Sequence, residues 1–97
     1  MNWDNDWNIH KYKNDRTIHK YKLEITNYQI ITASLNATPK HVGIDNEGTP
    51  CIWIETNPTI GQKEYTIFVV GTGHPVPPAK YVGSFNQDPF IWHIHYR

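Results

Sequence analysis

The chain has 97 residues, and its nine Lys and Arg residues balance nine Asp and Glu residues, so the formal net charge is zero. This length allows one domain with a modest core, and the balanced charge argues against long duplex DNA as a partner because such binding requires a basic surface. The single Cys cannot form an internal disulfide. The sequence has no secretion signal, and no apolar stretch approaches the ~20 residues that cross a bilayer. We therefore expect a cytoplasmic protein with no membrane partner.

The N-terminal region contains a short duplication. The five residues Ile9–Lys13 recur unchanged as Ile18–Lys22, which is too short for a repeat architecture with its units of ~20–50 residues. Only the second copy continues into alternating apolar residues, over positions 21–25, and alternation is typical of a strand. We therefore predict a flexible N-terminal extension over residues 1–16 and a single β domain over residues 17–97.

The rest of the chain alternates between short β-branched or aromatic runs and turns rich in Gly, Pro and Asn. No segment of ten or more residues keeps the 3.6-residue apolar spacing of a helix, so we expect little helix. About seven short strands at this spacing predict an all-β fold, either a small antiparallel sandwich or a partly open barrel. The strands predicted after the first one cover residues 28–33, 40–45, 51–56, 63–71, 81–85 and 90–96.

The last predicted strand has the clearest pattern. Successive side chains of a strand leave opposite faces of the sheet, and this segment alternates apolar residues with imidazoles. One face should therefore pack inward while the other stays free for recognition. The residues predicted inward are Phe90, Trp92, Ile94 and Tyr96, and those predicted outward are Ile91, His93, His95 and Arg97. The same phase argument places Trp53, Tyr65, Phe68 and Trp92 in the core.

Two other segments carry candidate binding residues. The segment His74–Pro78 contains three prolines and should be stiff, which suits either a pre-organised recognition edge or a rigid crossover between sheets. The polar N-terminal arm carries aromatic residues that would act as interface anchors if the arm orders on a partner. The predicted partner-binding residues are Trp3, Trp7, Tyr12, His74, Pro75, His93, His95 and Arg97.

Imidazole and thiol groups also raise the question of a metal. Cys51, His74, His93 and His95 are ligand types that zinc takes, and they would form a structural site if the fold brought them together. Against this, the chain has no Cys-x-x-Cys or comparable paired spacing. The alternative is a half-exposed polar strand face with a small buried Cys. We expect no cofactor, with a structural zinc ion as the exception.

The Gly71-Thr72-Gly73 sequence allows two interpretations. Its backbone N–H groups could bind phosphate, but no helix and no complete phosphate-binding motif follows. The alternative is a turn that needs glycine for a positive φ. Elsewhere, Ser34 and Ser84 lack a nucleophile elbow, and Cys51 lies in an apolar run. We therefore predict no catalytic residues and no enzymatic activity.

Four segments resemble a family of small, functionally uncharacterised β-rich proteins encoded by bacteriophages and prophages. They are the Cys-x-Trp run at residues 51–53, the loop 70–75 with its Gly-Thr-Gly-His-Pro sequence, the strand 81–85 and the Phe-x-Trp-His segment 90–93. The likeness extends over about Ile18 to Tyr96, and Cys51, His74 and His93 are the polar positions that match. The resemblance implies a phage setting and brings no established activity.

This setting leads to a functional expectation by analogy. We predict a non-enzymatic protein, monomeric or homodimeric, that inhibits a bacterial defence protein such as a CRISPR effector by direct contact in the host cytoplasm. One alternative is sequestration of a small nucleotide immune signal, which would need a concave pocket. Another is a small zinc-stabilised structural or virion protein.

Overall fold

A computed structural model describes residues 15–97 of the chain. These residues form seven strands in two sheets, with every neighbouring pair antiparallel. They contain no helix, and hence none long enough to span a membrane. The predicted all-β sandwich is therefore confirmed. The strands are β1 (Thr17–Lys22), β2 (Tyr28–Ser34), β3 (Thr38–Ile44), β4 (Pro50–Thr56), β5 (Gln62–Gly71), β6 (Lys80–Gln87) and β7 (Phe90–Tyr96).

The order of the strands determines the shape of the functional region. One sheet has the order β1-β4-β3 and the other has the order β2-β5-β7-β6. Because β7 pairs antiparallel with both β5 and β6, these two outer neighbours run parallel to each other. Residues 72–79, which join them, must therefore cross β7. We call this segment the crossing loop. It is a crossover within one sheet, so the crossover between sheets, one of the two interpretations of the proline-rich segment, is wrong.

The core lies between the sheets and follows the two-residue period. In β4, Ile52 and Ile54 are 0% and 1% exposed, while Ile67 of β5 and Ile94 of β7 are both 0% exposed. Burying an aliphatic side chain of this size contributes about 1.5–3 kcal/mol. Tyr65 is also buried, as predicted.

Two aromatic residues predicted in the core lie outside it. Trp53 sits between the inward-facing Ile52 and Ile54, so strand alternation directs it to the outer face of its sheet. There its ring lies 5.1 Å from the ring of His41. Phe68 sits between inward neighbours in β5 in the same way. The prediction failed because both strands have apolar residues on both faces, so composition alone did not identify the inner one.

A buried polar cluster joins the two sheets. Ser34 of β2 is 0% exposed, and its hydroxyl accepts hydrogen bonds from Thr56 Oγ1 at 2.7 Å and from the backbone N–H of Asn57 at 2.9 Å. The backbone N–H of Ser34 donates in turn to Thr56 Oγ1 at 2.9 Å. The Tyr65 hydroxyl donates to the carbonyl of Ser34 at 2.6 Å and accepts from the N–H of Ala37 at 3.1 Å. The cluster thus satisfies backbone groups that leave the sheets at one end of the sandwich.

The domain begins with a contact made before β1. Arg16, which we assigned to the extension, forms an ion pair with Glu55 of β4 at 2.5 Å and donates to the carbonyl of Asn36 at 3.1 Å. The hydrogen bond from Arg16 lowers the pKa of Glu55. This arginine therefore links the start of β1 to its neighbour β4.

The turn between β3 and β4 is organised by Asp45. Its Oδ1 accepts the backbone N–H groups of Glu47 and Thr49, each at 2.9 Å, and Gly48 takes the positive φ of 80° that the turn requires. Lys20 of β1 donates to Oδ2 at 3.0 Å. The hydrogen bond from the Thr49 N–H, which has the largest effect, and the hydrogen bond from Lys20 lower the pKa of Asp45 well below its ordinary range.

The Asp45 carboxylate should make the stability of the folded protein depend on pH in the acid range. Because folding lowers the pKa of Asp45, its contribution is present above the ordinary carboxyl pKa of 3.8 and is lost as the pH falls through the lower folded value. We expect Asp45→Asn, which keeps the Oδ1 acceptor, to reduce the thermal midpoint at neutral pH, and the difference from wild type to close in strong acid. Glu47→Gln, at an exposed position of the same turn, is the control. A difference between Asp45→Asn and wild type that stays constant from pH 7 to pH 2 would contradict this assignment.

Candidate recognition surface

The outer face of the four-stranded sheet carries an aromatic residue on every strand. Strand pairing aligns Tyr28 of β2 with Phe68 of β5, Phe68 with His95 of β7, and His95 with Tyr81 of β6. We call these four residues the aromatic row. Its two ends are open to solvent, with Tyr28 62% and Tyr81 60% exposed. The Arg97 guanidinium lies over the Phe68 ring, 5.3 Å from its centroid, as in a cation–π contact.

The crossing loop covers the middle of this face. Residues of the loop, Val76 among them, line one cavity with Phe68 and Val70 and a second with Tyr81 and His95. The cavities measure about 400 and about 360 Å³, and Val70, His74 and Val76 line both of them. Val70, on the outer face, is consequently only 7% exposed.

This cover corrects the prediction for His95. The side chain leaves the face that was predicted, but it is only 8% exposed because the crossing loop passes over it. Its Nδ1 atom is buried and makes no hydrogen bond with any residue in the range 15–97. Its ring lies 5.3 Å from that of Tyr81, tilted by 60°. His95 is therefore part of a cavity wall and not of an open face.

His93 is held by a chain of hydroxyl groups. Its Nε2 lies 2.8 Å from Thr72 Oγ1, and its Nδ1 lies 2.7 Å from Ser84 Oγ. Ser84 is in turn 2.7 Å from the Tyr81 hydroxyl. In a catalytic triad, a serine lies beside one imidazole nitrogen and a carboxylate lies beside the other. Here Ser84 lies beside Nδ1 of His93, but Nε2 lies beside the Thr72 hydroxyl and not beside a carboxylate. The chain fixes the rings of His93 and Tyr81 in place.

The turn interpretation of the glycine sequence agrees with the geometry. The N–H of His74 donates to the carbonyl of Gly71 at 3.0 Å, and Gly73 has a φ of 90°, which together describe a type II turn. A Cβ at Gly71 would lie 3.1 Å from His74 Nδ1 and 3.3 Å from the Trp92 ring. His74 and Pro75 are exposed on the crossing loop.

The inward side of β7 follows the prediction except at its start. Ile94 is fully buried, and Trp92 and Tyr96 pack against the core. Phe90 was predicted inward but is 55% exposed, because it lies at the end of the sandwich and stacks on Trp92 with ring centroids 5.3 Å apart.

The four predicted zinc ligands do not form a group. Cys51 lies in β4 of the other sheet, is 1% exposed and places Sγ 3.6 Å from Asp45 Oδ2; burial raises the pKa of its thiol. His93 and His95 lie on β7, and His74 lies on the crossing loop. Within residues 15–97, no three His, Cys, Asp or Glu side chains lie close enough to share a metal ion. The predicted arm residues Trp3, Trp7 and Tyr12 lie outside the described range.

Sequence reasoning missed Tyr28 and Tyr81 as surface residues and Thr72 and Ser84 as partners of His93. They are spread over β2, β6 and the crossing loop, so no local pattern connects all of them with His93 on β7. The signal that could have found the two tyrosines is their aromatic character within otherwise half-polar strands.

Fold and surface together define a small two-sheet β domain with an aromatic outer face crossed by a proline-rich loop. Comparison with known families identifies the family to which this domain belongs. The chain belongs to the DUF7352 family, a domain of unknown function, whose sequence profile matches residues 14–97. Neither the curated proteins nor the solved structures include a match.

Proposed function

We propose that this protein is a non-enzymatic binding protein that contacts a partner protein through the outer face of the four-stranded sheet. The observation that carries the proposal is the aromatic row, with Tyr28 and Tyr81 each about three-fifths exposed at its ends. Tyrosines dominate the energetics of many interfaces because they bury a large area and lose little conformational entropy. An exposed aromatic face of this kind supports protein recognition.

Neighbouring exposed side chains extend this surface. Ile30 of β2 is 49% exposed beside Tyr28, and Val76 of the crossing loop is 63% exposed. Ile91 of β7 is 47% exposed at the far end of the same face. Arg97 supplies a cation at its edge. Exposed aromatic and aliphatic side chains together with an arginine are common components of protein interfaces.

The partner in this proposal is a bacterial defence protein of the CRISPR effector class, and the outcome of binding is inhibition. The support is the resemblance to phage-encoded proteins together with a net charge of zero, which suits a protein partner better than long duplex DNA. In this setting the protein acts in the cytoplasm of the infected host. The roles of Trp3, Trp7 and Tyr12 as further anchors stay a prediction.

A plating assay tests this function. The protein is expressed in a set of bacterial strains, each with one active CRISPR system and a phage that the system targets. We expect phage plating in at least one strain to rise to the level of the matched strain without the CRISPR system. If soluble protein accumulates in every strain and plating rises in none, the proposed inhibition is wrong.

A further inference from the structure

We propose that the protein forms a homodimer in which strand β2 pairs antiparallel with β2 of a second copy of the chain, across a two-fold axis. Strand β2 is an edge of the four-stranded sheet, and β5 is its one neighbour within residues 15–97. The pairing joins the four-stranded sheets of both copies into one sheet. The proposal goes beyond the proposed inhibition and does not depend on a bacterial partner.

The backbone of β2 directs every second pair of N–H and C=O groups away from β5. The Val69 N–H donates to the carbonyl of Asn27 at 3.3 Å, and the Leu35 N–H donates to the carbonyl of Gly61 at 2.9 Å. Both bonds keep the register of the β2–β5 pair, so the odd-numbered residues of β2 bond to β5. The even-numbered residues therefore turn their backbone groups toward the open edge.

Part of this edge has no partner. Ser34 lies at its end, where its N–H donates to Thr56 Oγ1 and its carbonyl accepts from the Tyr65 hydroxyl. By contrast, the N–H and C=O groups of Ile30 and Thr32 make no hydrogen bond with any residue in the range 15–97. An open strand edge of this kind binds an added strand through backbone hydrogen bonds.

The three other edge strands carry features that oppose pairing with another chain. Strand β1 has two lysines. Strand β3 has Pro39 with a register shift beside it, and strand β6 has a register shift after Tyr81. Charge, proline and bulges are the usual means by which proteins protect an edge. Strand β2 pairs with β5 without any shift, and its seven residues include no proline and no charged side chain.

The sandwich also leaves room beside β2. A Cβ at Gly83 of β6 would lie 3.0 Å from Val42 of β3, so these two edges meet, and β1 and β2 lie on the opposite side of the sandwich. His19 of β1 pairs with the buried Ile54 of β4 and so lies on the inner side of its sheet, yet His19 is exposed. A strand added to β2 extends the four-stranded sheet toward this uncovered part of β1.

The composition of β2 favours a second copy as the added strand. A two-fold axis at Ile30 lets its backbone groups bond to those of Ile30 of the partner subunit, and it places Tyr28 opposite Thr32 of the partner subunit. These side-chain pairs are β-branched or aromatic, and such pairs stabilise antiparallel strands. Each of the other edge strands contains a lysine, so the same arrangement there would bring like charges together.

Sedimentation equilibrium of the full-length protein tests the dimer. We expect the average mass to rise with protein concentration from the monomer mass of 11.4 kDa toward twice that value. A monomer at every concentration up to about 1 mM, which populates even weak dimers, would overturn the proposal and leave the edge for a strand from a different protein.

Thr32→Pro tests the pairing of the backbone. The substitution removes an N–H that points away from β5, so the monomer should stay folded while the Kd of the dimer rises at least about tenfold. Thr32→Val keeps this N–H and a β-branched side chain, and it should dimerise like the wild type. A folded Thr32→Pro protein with an unchanged Kd would show that the dimer does not use the backbone of β2 and would overturn the proposal.

Ile30→Lys tests the position of the two-fold axis. Ile30 is 49% exposed, and the axis would bring its two lysine replacements together, so dimerisation should be lost. Ile91→Lys makes the same change at a residue of β7 that is 47% exposed, and it should leave the dimer intact. Loss of the dimer in both variants, or in neither, would overturn the proposal. Sedimentation requires no bacterial partner, so this proposal and the proposed inhibition can fail separately.

Discussion

Ile94→Ala is expected to destabilise the domain by about 2–5 kcal/mol. Ile94 is 0% exposed at the centre of β7, between the two sheets, and its truncation leaves a cavity that the neighbouring strands cannot fill. A domain of this size has about 5–15 kcal/mol of stability in total. The variant should therefore lose a large part of it, and its thermal midpoint should fall by about 8 °C or more. Urea denaturation followed by tryptophan fluorescence measures the loss.

Ile91→Ala on the same strand is the matched control. The substitution removes the same atoms, but Ile91 leaves the outer face and is 47% exposed. Its loss should stay under about 1 kcal/mol, the range of strand propensity and surface effects. Equal losses for the two variants, or a larger loss for Ile91→Ala, would show that β7 does not direct its side chains as described.

Ser34→Ala is expected to cost about 1–3 kcal/mol although it removes a single oxygen atom. That oxygen accepts hydrogen bonds from Thr56 Oγ1 and from the N–H of Asn57 at a site closed to water. Without it, the buried hydroxyl of Thr56 and the partly buried N–H of Asn57 lose their acceptor, and the cost of desolvating them is no longer offset. The loss should appear in the urea midpoint without a change in the slope of the transition.

Ser84→Ala makes the same chemical change on an exposed hydroxyl. Ser84 bonds to Tyr81 and His93, but water can replace it there, so the expected loss is under about 0.5 kcal/mol. If Ser34→Ala were as well tolerated as Ser84→Ala, the polar cluster between the sheets would not contribute to stability as the contacts indicate.

Local sequence patterns predicted the strands well. The predicted strand over residues 90–96 matches β7, and the predicted start in the second copy of the duplication matches β1. These predictions were correct because a turn or an alternating strand is determined by residues that lie within a few positions of each other in the sequence. The inward direction of Ile94 follows from the same property.

The candidate site could not be predicted in the same way. The insertion of β7 between β5 and β6 is a long-range choice of pairing, and it is this choice that carries the crossing loop over His95. Alternation predicted the correct face for His95. The crossing loop that buries its side chain follows from the order of the strands, which alternation does not predict. The same pairing creates the aromatic row from four separate strands.

The central claim is that recognition occurs on the outer face of the four-stranded sheet, and one comparison within the plating assay tests it directly. The double variant Tyr28→Ala/Tyr81→Ala removes the exposed ends of the aromatic row, while Ile18→Ala/His41→Ala changes exposed residues on the outer face of the other sheet. Inhibition should be lost in the first variant and kept in the second, with both proteins folded. Inhibition that survives the first and disappears in the second would place recognition on the opposite side of the molecule and contradict the claim.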